Sequence, residues 1–217
     1  MRYLNVCMVL FTVLIMTAGA AAQKPFTEGV LVYKVTLTTP DNAAYKGTYV
    51  FSFKGAEIKK ELLLDNGFKD VTLYNCATNK IYTLQRGNEK QYAIQLSMDD
   101  LLLKQQKFTG FRIRNEEKDV KELAGYKVYK GTVVYRNGSQ TDIFYTKEWK
   151  PVQSITYNRF PGAQFFPLYF AYSEENGTAM TFEAEKMEAV PVASSVFEIP
   201  KDFIMISYEE YKQLRNE

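Results

Sequence analysis

The chain of 217 residues contains no histidine. Without imidazole it can assemble neither a Ser/His/Asp nor a Cys/His catalytic unit, and no histidine metal site, which removes most hydrolase mechanisms. Cysteine is nearly as scarce: one lies at Cys7 in the N-terminal apolar run and the other at Cys76. No clustered-cysteine ligand set, glycine-rich phosphate loop or calcium-loop spacing is present. An excess of one charge is also missing, since 27 basic residues face 25 acidic ones. Nucleic acid and anionic membrane surfaces both call for a concentrated basic patch, so neither is implied as a partner. The expectation is a non-enzymatic protein with no cofactor and no metal.

Long hydrophobic runs are limited to one. Arg2 precedes an apolar stretch at 6–18, shorter than the roughly 20 residues that span a bilayer, and Ala20-Ala21-Ala22 supplies small residues for cleavage before Gln23. Residues 1–22 read as a signal peptide and 23–217 as one exported domain, with no membrane span after cleavage. Arg2 is the sole charged residue of the leader, so cleavage lowers the net charge of +2 by one. Cys76 then stands alone, and an internal disulfide is excluded despite an oxidising destination. Stability must come from the core.

What is abundant is aromatic residues, 16 Tyr and 15 Phe, and these alternate with polar residues in the manner of half-buried strands. Leu31, Tyr33, Val35 and Leu37 share one face; Tyr49, Phe51 and Phe53 share another. Phe166, Leu168, Phe170 and Tyr172 alternate on the first arm of a hairpin and Met180, Phe182 and Ala184 on the second. Further strands are expected at 58–65, 68–76, 80–86, 90–96, 126–135, 141–147, 152–157 and 197–203. Asn66-Gly67, Asn137-Gly138 and Asn176-Gly177 read as tight primed hairpin turns, in which both residues reach positive φ. A turn is also placed at Gly87-Asn88, and residues 115–119 read as a charged loop.

Two helices interrupt the pattern. Ser97 can cap a helix from Met98 to about residue 107, with Asp99 and Asp100 at its positive end and Gly110 beyond its stop. Met98, Leu101, Leu102 and Gln105 would face one side, making it either a lid over the sheet or an ordinary packing helix. Ser207-Tyr208-Glu209-Glu210 forms a capping box for a short C-terminal helix. Glu183 and Glu185, at i and i+2, are the best carboxylate pair, but they point away from the apolar face and read as solvated surface. Tyr33, Tyr126, Tyr169 and Trp149 are amphipathic enough to line a rim. Asn137-Gly138-Ser139 and Asn176-Gly177-Thr178 match glycosylation sequons, relevant only in a eukaryotic secretory route.

The order of Leu123-Ala124-Gly125-Tyr126-Lys127, Phe144-Tyr145-Thr146-Lys147-Glu148-Trp149, Phe166-Pro167-Leu168 and Phe197-Glu198-Ile199-Pro200-Lys201-Asp202-Phe203 resembles a family of exported bacterial proteins known only as a domain of unknown function. That family looks like a distant relative of the LolA-like outer-membrane lipoprotein carriers. The resemblance implies a mainly β fold, a strongly curved antiparallel sheet or unclosed β-barrel, here with one inserted helix and a short C-terminal helix. It also implies an apolar cavity between sheet and helix.

The leading expectation is a periplasmic or secreted protein that binds or carries a lipid or acyl ligand. Phe51, Phe53, Phe166, Leu168, Phe170, Met180 and Phe182 would face the ligand, covered by Met98, Leu101 and Leu102. The alternative is an interaction or structural module of the cell envelope that binds a protein or glycan, with a fully packed core and no ligand cavity.

Overall fold

A computed structural model describes residues 23–86 and 90–216; the leader at 1–22 and the turn at Gly87-Asn88 lie outside the described residues. In chain order the strands are β1 Lys24–Phe26, β2 Glu28–Thr38, β3 Ala44–Lys54, β4 Glu57–Leu64, β5 Lys69–Asn75, β6 Lys80–Arg86, β7 Gln91–Leu96, β8 Arg112–Leu123, β9 Tyr126–Val134, β10 Gln140–Thr146, β11 Trp149–Pro151, β12 Phe166–Ser173, β13 Ala179–Glu188 and β14 Ile204–Ser207. Helix α1 covers Met98–Gln105 and α2 covers Tyr208–Asn216.

Twelve of these strands form one sheet in the order β14-β7-β6-β5-β4-β3-β2-β13-β12-β10-β9-β8, while β1 and β11 pair in parallel beside it. The edge strands β14 and β8 do not pair with each other, so the sheet is curved but not closed into a barrel. Its inner face carries the alternating apolar residues: Leu31, Tyr33 and Val35 of β2, Phe51 and Phe53 of β3, Ile58 of β4, and Phe170, Phe182 and Ala184 of β12 and β13 are all buried. Sequence alternation located these strands because a two-residue period with one greasy face has few other ways to be satisfied.

The Asn-Gly turns differ from expectation. In each only the glycine has positive φ, 85° at Gly67, 83° at Gly138 and 85° at Gly177. Each glycine N–H donates to a carbonyl three residues back, on Leu64, Tyr135 and Glu174. These are three-residue loops, a type I turn closed by a glycine bulge, rather than two-residue primed turns. The asparagines contribute side-chain bonds instead. Oδ1 of Asn66, Asn137 and Asn176 accepts the backbone N–H two residues ahead, at 2.9, 3.0 and 3.0 Å.

Four further expectations are corrected. Residues 115–119 do not form a loop; β8 runs through them, and its pairing jumps from Glu116–Lys130 to Val120–Tyr129, leaving three residues as an edge bulge. A charged bulge blunts a sheet edge that would otherwise template another strand. Residues 197–203 are not a strand: a 3-10 turn at Ser194–Phe197 leads to a second turn closed by the Phe203 N–H on the Pro200 carbonyl, and the strand that follows is β14, parallel to β7. Residues 152–157 are not a strand either: Ile155, Thr156 and Tyr157 are all buried, so burial does not alternate as a strand would have it. Both sides of β12 and β10 are already paired within the sheet, so this stretch has no slot and instead crosses the concave face. Finally, Tyr33 lies in the core and not at a rim.

The capping box at α2 is present as read. Ser207 N–H donates to Glu210 Oε2 at 2.7 Å and Glu210 N–H donates to Ser207 Oγ at 3.2 Å; the Ser207 N–H and hydroxyl, both donating to Oε2, hold the Glu210 carboxyl below its usual range. Among the described residues no helix is long and apolar enough to cross a membrane.

Candidate functional site

The concave face is covered by residues 152–165, a strap without strand or helix over most of its length. Its apolar side chains Ile155, Tyr157, Phe160, Ala163 and Phe165 are buried against the sheet. Polar tethers fix it. Tyr157 Oη bonds Tyr33 Oη at 2.8 Å, and Tyr33 in turn donates to the Pro167 carbonyl at 2.7 Å. Tyr135 Oη donates to the Arg159 carbonyl at 3.1 Å, and Gln105 of α1 donates to Asn158 Oδ1 at 3.2 Å. The Pro167 carbonyl is free to turn inward because the β10–β12 register skips Leu168, a bulge that also admits proline to an interior strand. Burial holds the Tyr33 and Tyr157 phenols well above their ordinary pKa, so this chain of hydroxyls is neutral.

Between the strap and the sheet a cavity of about 70 Å³ remains, lined by Tyr49, Phe51, Lys60, Tyr157, Phe160, Phe170 and Phe182 among others. Phe170 and Phe182 stack face to face, with centroids 4.4 Å apart and planes at 9°. Phe160 meets Phe170 edge-on at 5.4 Å. At the mouth Arg159 lies 3.5 Å from the Tyr172 ring centroid and pairs with Glu174. Arg159 and Tyr172 complete the lining on that side.

At the inner end sits Lys60, only 3% exposed. Its Nζ donates to the Ile155 carbonyl at 3.2 Å and lies 4.4 Å from the Tyr74 ring and 5.6 Å from that of Phe51. Desolvation lowers its pKa to about 7, partly opposed by Cys76 and Asp70. The same burial raises Asp70, against the pull of Lys60. Sequence reasoning passed over Lys60, yet its signal was available: it occupies the inward parity of β4, between Ile58 and Leu62, where a charged residue is out of pattern.

Of the residues expected to face a ligand, Phe51, Phe170 and Phe182 meet at this cavity. Phe53 and Phe166 pack together at 5.8 Å against Phe26, away from it. Leu168 is fully buried in the core, and Met180 is half-buried, its sulfur receiving the Tyr172 hydroxyl at 3.3 Å. Helix α1 does not bring its three together. Leu101 is buried and Met98 half-buried, but Leu102 is 50% exposed. The inward stripe is Met98, Leu101 and Gln105; Leu102, about 40° round the helix from Met98 on the flank away from Leu101, falls at the edge of a narrow contact and stays half exposed. The cover over Phe51, Phe170 and Phe182 is therefore the strap. Glu183 and Glu185 are exposed, and Glu185 pairs with Lys34 at 2.8 Å.

A second depression, about 460 Å³, lies on the outer face between β4–β6 and the segment reaching Phe203. Lys59, Glu61 and Lys69 form linked ion pairs along it, at 2.9 and 2.6 Å, beside Leu63, which is 46% exposed.

No family model and no curated protein matches the chain. Solved structures do. An uncharacterised conserved protein from Thermus thermophilus aligns over 84% of this chain and 92% of its own, with 10% identity and a TM-score of 0.51. A LolA superfamily protein from Nitrosomonas europaea aligns over 82% of this chain and 92% of its own, with 13% identity and a TM-score of 0.39. A chain of the Pseudomonas aeruginosa MucA/MucB complex aligns over 83% of this chain and 59% of its own, with 8% identity and a TM-score of 0.42. The Thermus protein shares the fold, and LolA-like structures are among the chain's neighbours.

Proposed function

We propose that this chain is a non-enzymatic protein of the bacterial cell envelope that binds an acyl or other lipid-like ligand in the trough between its sheet and the strap at 152–165. One observation carries the reading: the aromatic inner face is closed by a segment outside the sheet ladder, and a cavity remains beneath it. Each polar tether of the strap contributes about 1 kcal/mol net, because water can replace it. Its apolar contacts are exchangeable in kind. An acyl chain that takes the place of Tyr157 or Phe160 against Phe51, Phe170 and Phe182 keeps the trough dry, gaining about 0.8 kcal/mol for each CH₂ withdrawn from water.

The test is native mass spectrometry of the purified protein together with displacement of a fluorescent fatty acid. A stoichiometric, displaceable acyl ligand is expected. Absence of both a copurified ligand and probe binding overturns the proposal.

A second reading, an envelope module that binds a protein or glycan over a packed core, is favoured by two dimensions. The space of about 70 Å³ is roughly half that of an engineered cavity that admits benzene. The outer depression is larger and mixes ion pairs with exposed Leu63. Failure of every acyl probe leaves this reading in place.

A further inference from the structure

A purely apolar ligand gives no reason to bury an amine. At the position of Lys60 a methionine would fill the same space without the cost of desolvating a charge. The amine nevertheless lies at the inner end of the cavity, with one of its three N–H groups given to the Ile155 carbonyl and the rings of Tyr74 and Phe51 beside it. No described carboxylate forms an ion pair with it.

Among the described titratable groups around it, Asp70 is the carboxylate whose charge acts on the amine, and it forms no ion pair with it. From β5 come Asp70, which is half-buried and pushed up by burial, and Tyr74, a neutral phenol; Cys76 follows β5, its thiol also raised by burial. From β3 comes Tyr49, held neutral well above its ordinary range. From the strap come Tyr157, again a neutral phenol, and Arg159, whose cationic head is at the mouth and already engaged by Glu174. Rings line the path between the two cations.

We propose that the cavity receives the carboxylate of an organic acid with an apolar body, Lys60 binding the head and Phe51, Phe170 and Phe182 enclosing the first carbons. This rests on the reading of the trough as an apolar-ligand site and names the ligand's class. A carboxylate is small enough for a space of about 70 Å³, and its two oxygens suit the free N–H groups of the amine. The body then leaves past Arg159 and Tyr172, or lies where the strap now lies. A short organic acid and a long-chain fatty acid present the same head.

Protonation gives the inference a signature. Burial lowers Lys60 to about 7, so near neutrality part of the population must take up a proton when a carboxylate binds. Affinity for the acid falls about tenfold for each pH unit above 7, whereas affinity for a neutral ester is flat.

The experiment measures binding of hexanoate, dodecanoate and their methyl esters to the purified wild-type protein and to Lys60→Met, between pH 6 and pH 9. At pH 6 the wild type is expected to favour an acid over its ester by about tenfold or more, with the preference collapsing by pH 9 and absent in Lys60→Met. Hexanoate binding as strongly as dodecanoate identifies a small acid as the source of the head, and dodecanoate binding alone identifies a lipid. Equal binding of acid and ester at every pH overturns the role of Lys60 and leaves the acyl-trough reading standing. Failure of acids and esters alike overturns both. Should Lys60→Met not fold, the wild-type preference and its pH profile decide alone.

Discussion

Lys60 is the residue at which burial and charge collide. Its pKa is lowered to about 7, against an unfolded value of about 10.4. Below pH 7 the amine is charged in both states and its desolvation counts fully against the fold. Between about pH 7 and 10 the unfolded chain binds more protons than the native one, so stability rises with pH; above that window both forms are neutral and the cost is gone. Wild-type stability is expected to climb by a few kcal/mol, about 2–4, from pH 7 to pH 9.5 in urea titrations, and Lys60→Met should lack that climb. A wild-type profile parallel to that of Lys60→Met would show that the amine is hydrated. Lys60 was legible in the alternation of β4 as a misplaced charge, but its partner, the Ile155 carbonyl, lies 95 residues away, and no local pattern announces such a bond.

At the scale of elements, the three Asn-Gly hairpins separate what each residue contributes. Gly138 has a φ of 83° and open space around the position a Cβ would take, so Gly138→Ala should cost about 1–2 kcal/mol through backbone strain alone. Asn137 stays outside the left-handed region, and its Oδ1 accepts the Ser139 N–H at 3.0 Å and the Ser139 hydroxyl at 2.7 Å; both bonds are exposed and water can replace them, so Asn137→Ala should cost only about 0.5–1 kcal/mol. Thermal or urea unfolding of the two variants checks the ranking. Equal or reversed costs would point back to a primed turn with asparagine at positive φ. Helix α1 shows the limit of sequence periodicity. Leu101, Leu102 and Leu103 are equally apolar, but only Leu101 is buried and Leu103 is 70% exposed. Where a helix meets its neighbours through one narrow stripe, composition overstates its apolar face.

For the molecule as a whole, the strap is a large part of the core that is not tied into the twelve-stranded ladder. Its backbone is held by isolated bonds such as Gly162 N–H to the Ser154 carbonyl at 2.8 Å and Ala163 N–H to the Phe160 carbonyl at 3.0 Å and by the side-chain tethers, while β2 and β3 share a continuous antiparallel register from Glu28–Lys54 to Thr38–Ala44. Local opening follows such differences in bonding. Hydrogen exchange in 152–165 is therefore expected to be faster than in β2 and β3, and saturation with dodecanoate should change exchange in the strap while leaving β2 and β3 untouched. Uniform protection across strap and sheet, unaltered by the ligand, would mean that the trough does not open.

The sequence by itself determined the alternation that makes strands, the positions of the hairpin turns, the capping box at Ser207 and the aromatic face that any fold of this chain has to bury. These are properties of two to eleven consecutive residues, read from side-chain period and local hydrogen bonding. Tertiary structure alone decided what covers that face. Residues 152–157 read as a strand in sequence, but the sheet's hydrogen-bonding edges next to them are already taken, so they lie across the trough instead, and only that placement brings Tyr157 to Tyr33 and the Ile155 carbonyl to Lys60. Strand identity is a local free-energy balance; strand membership depends on which partners the rest of the chain has left unpaired.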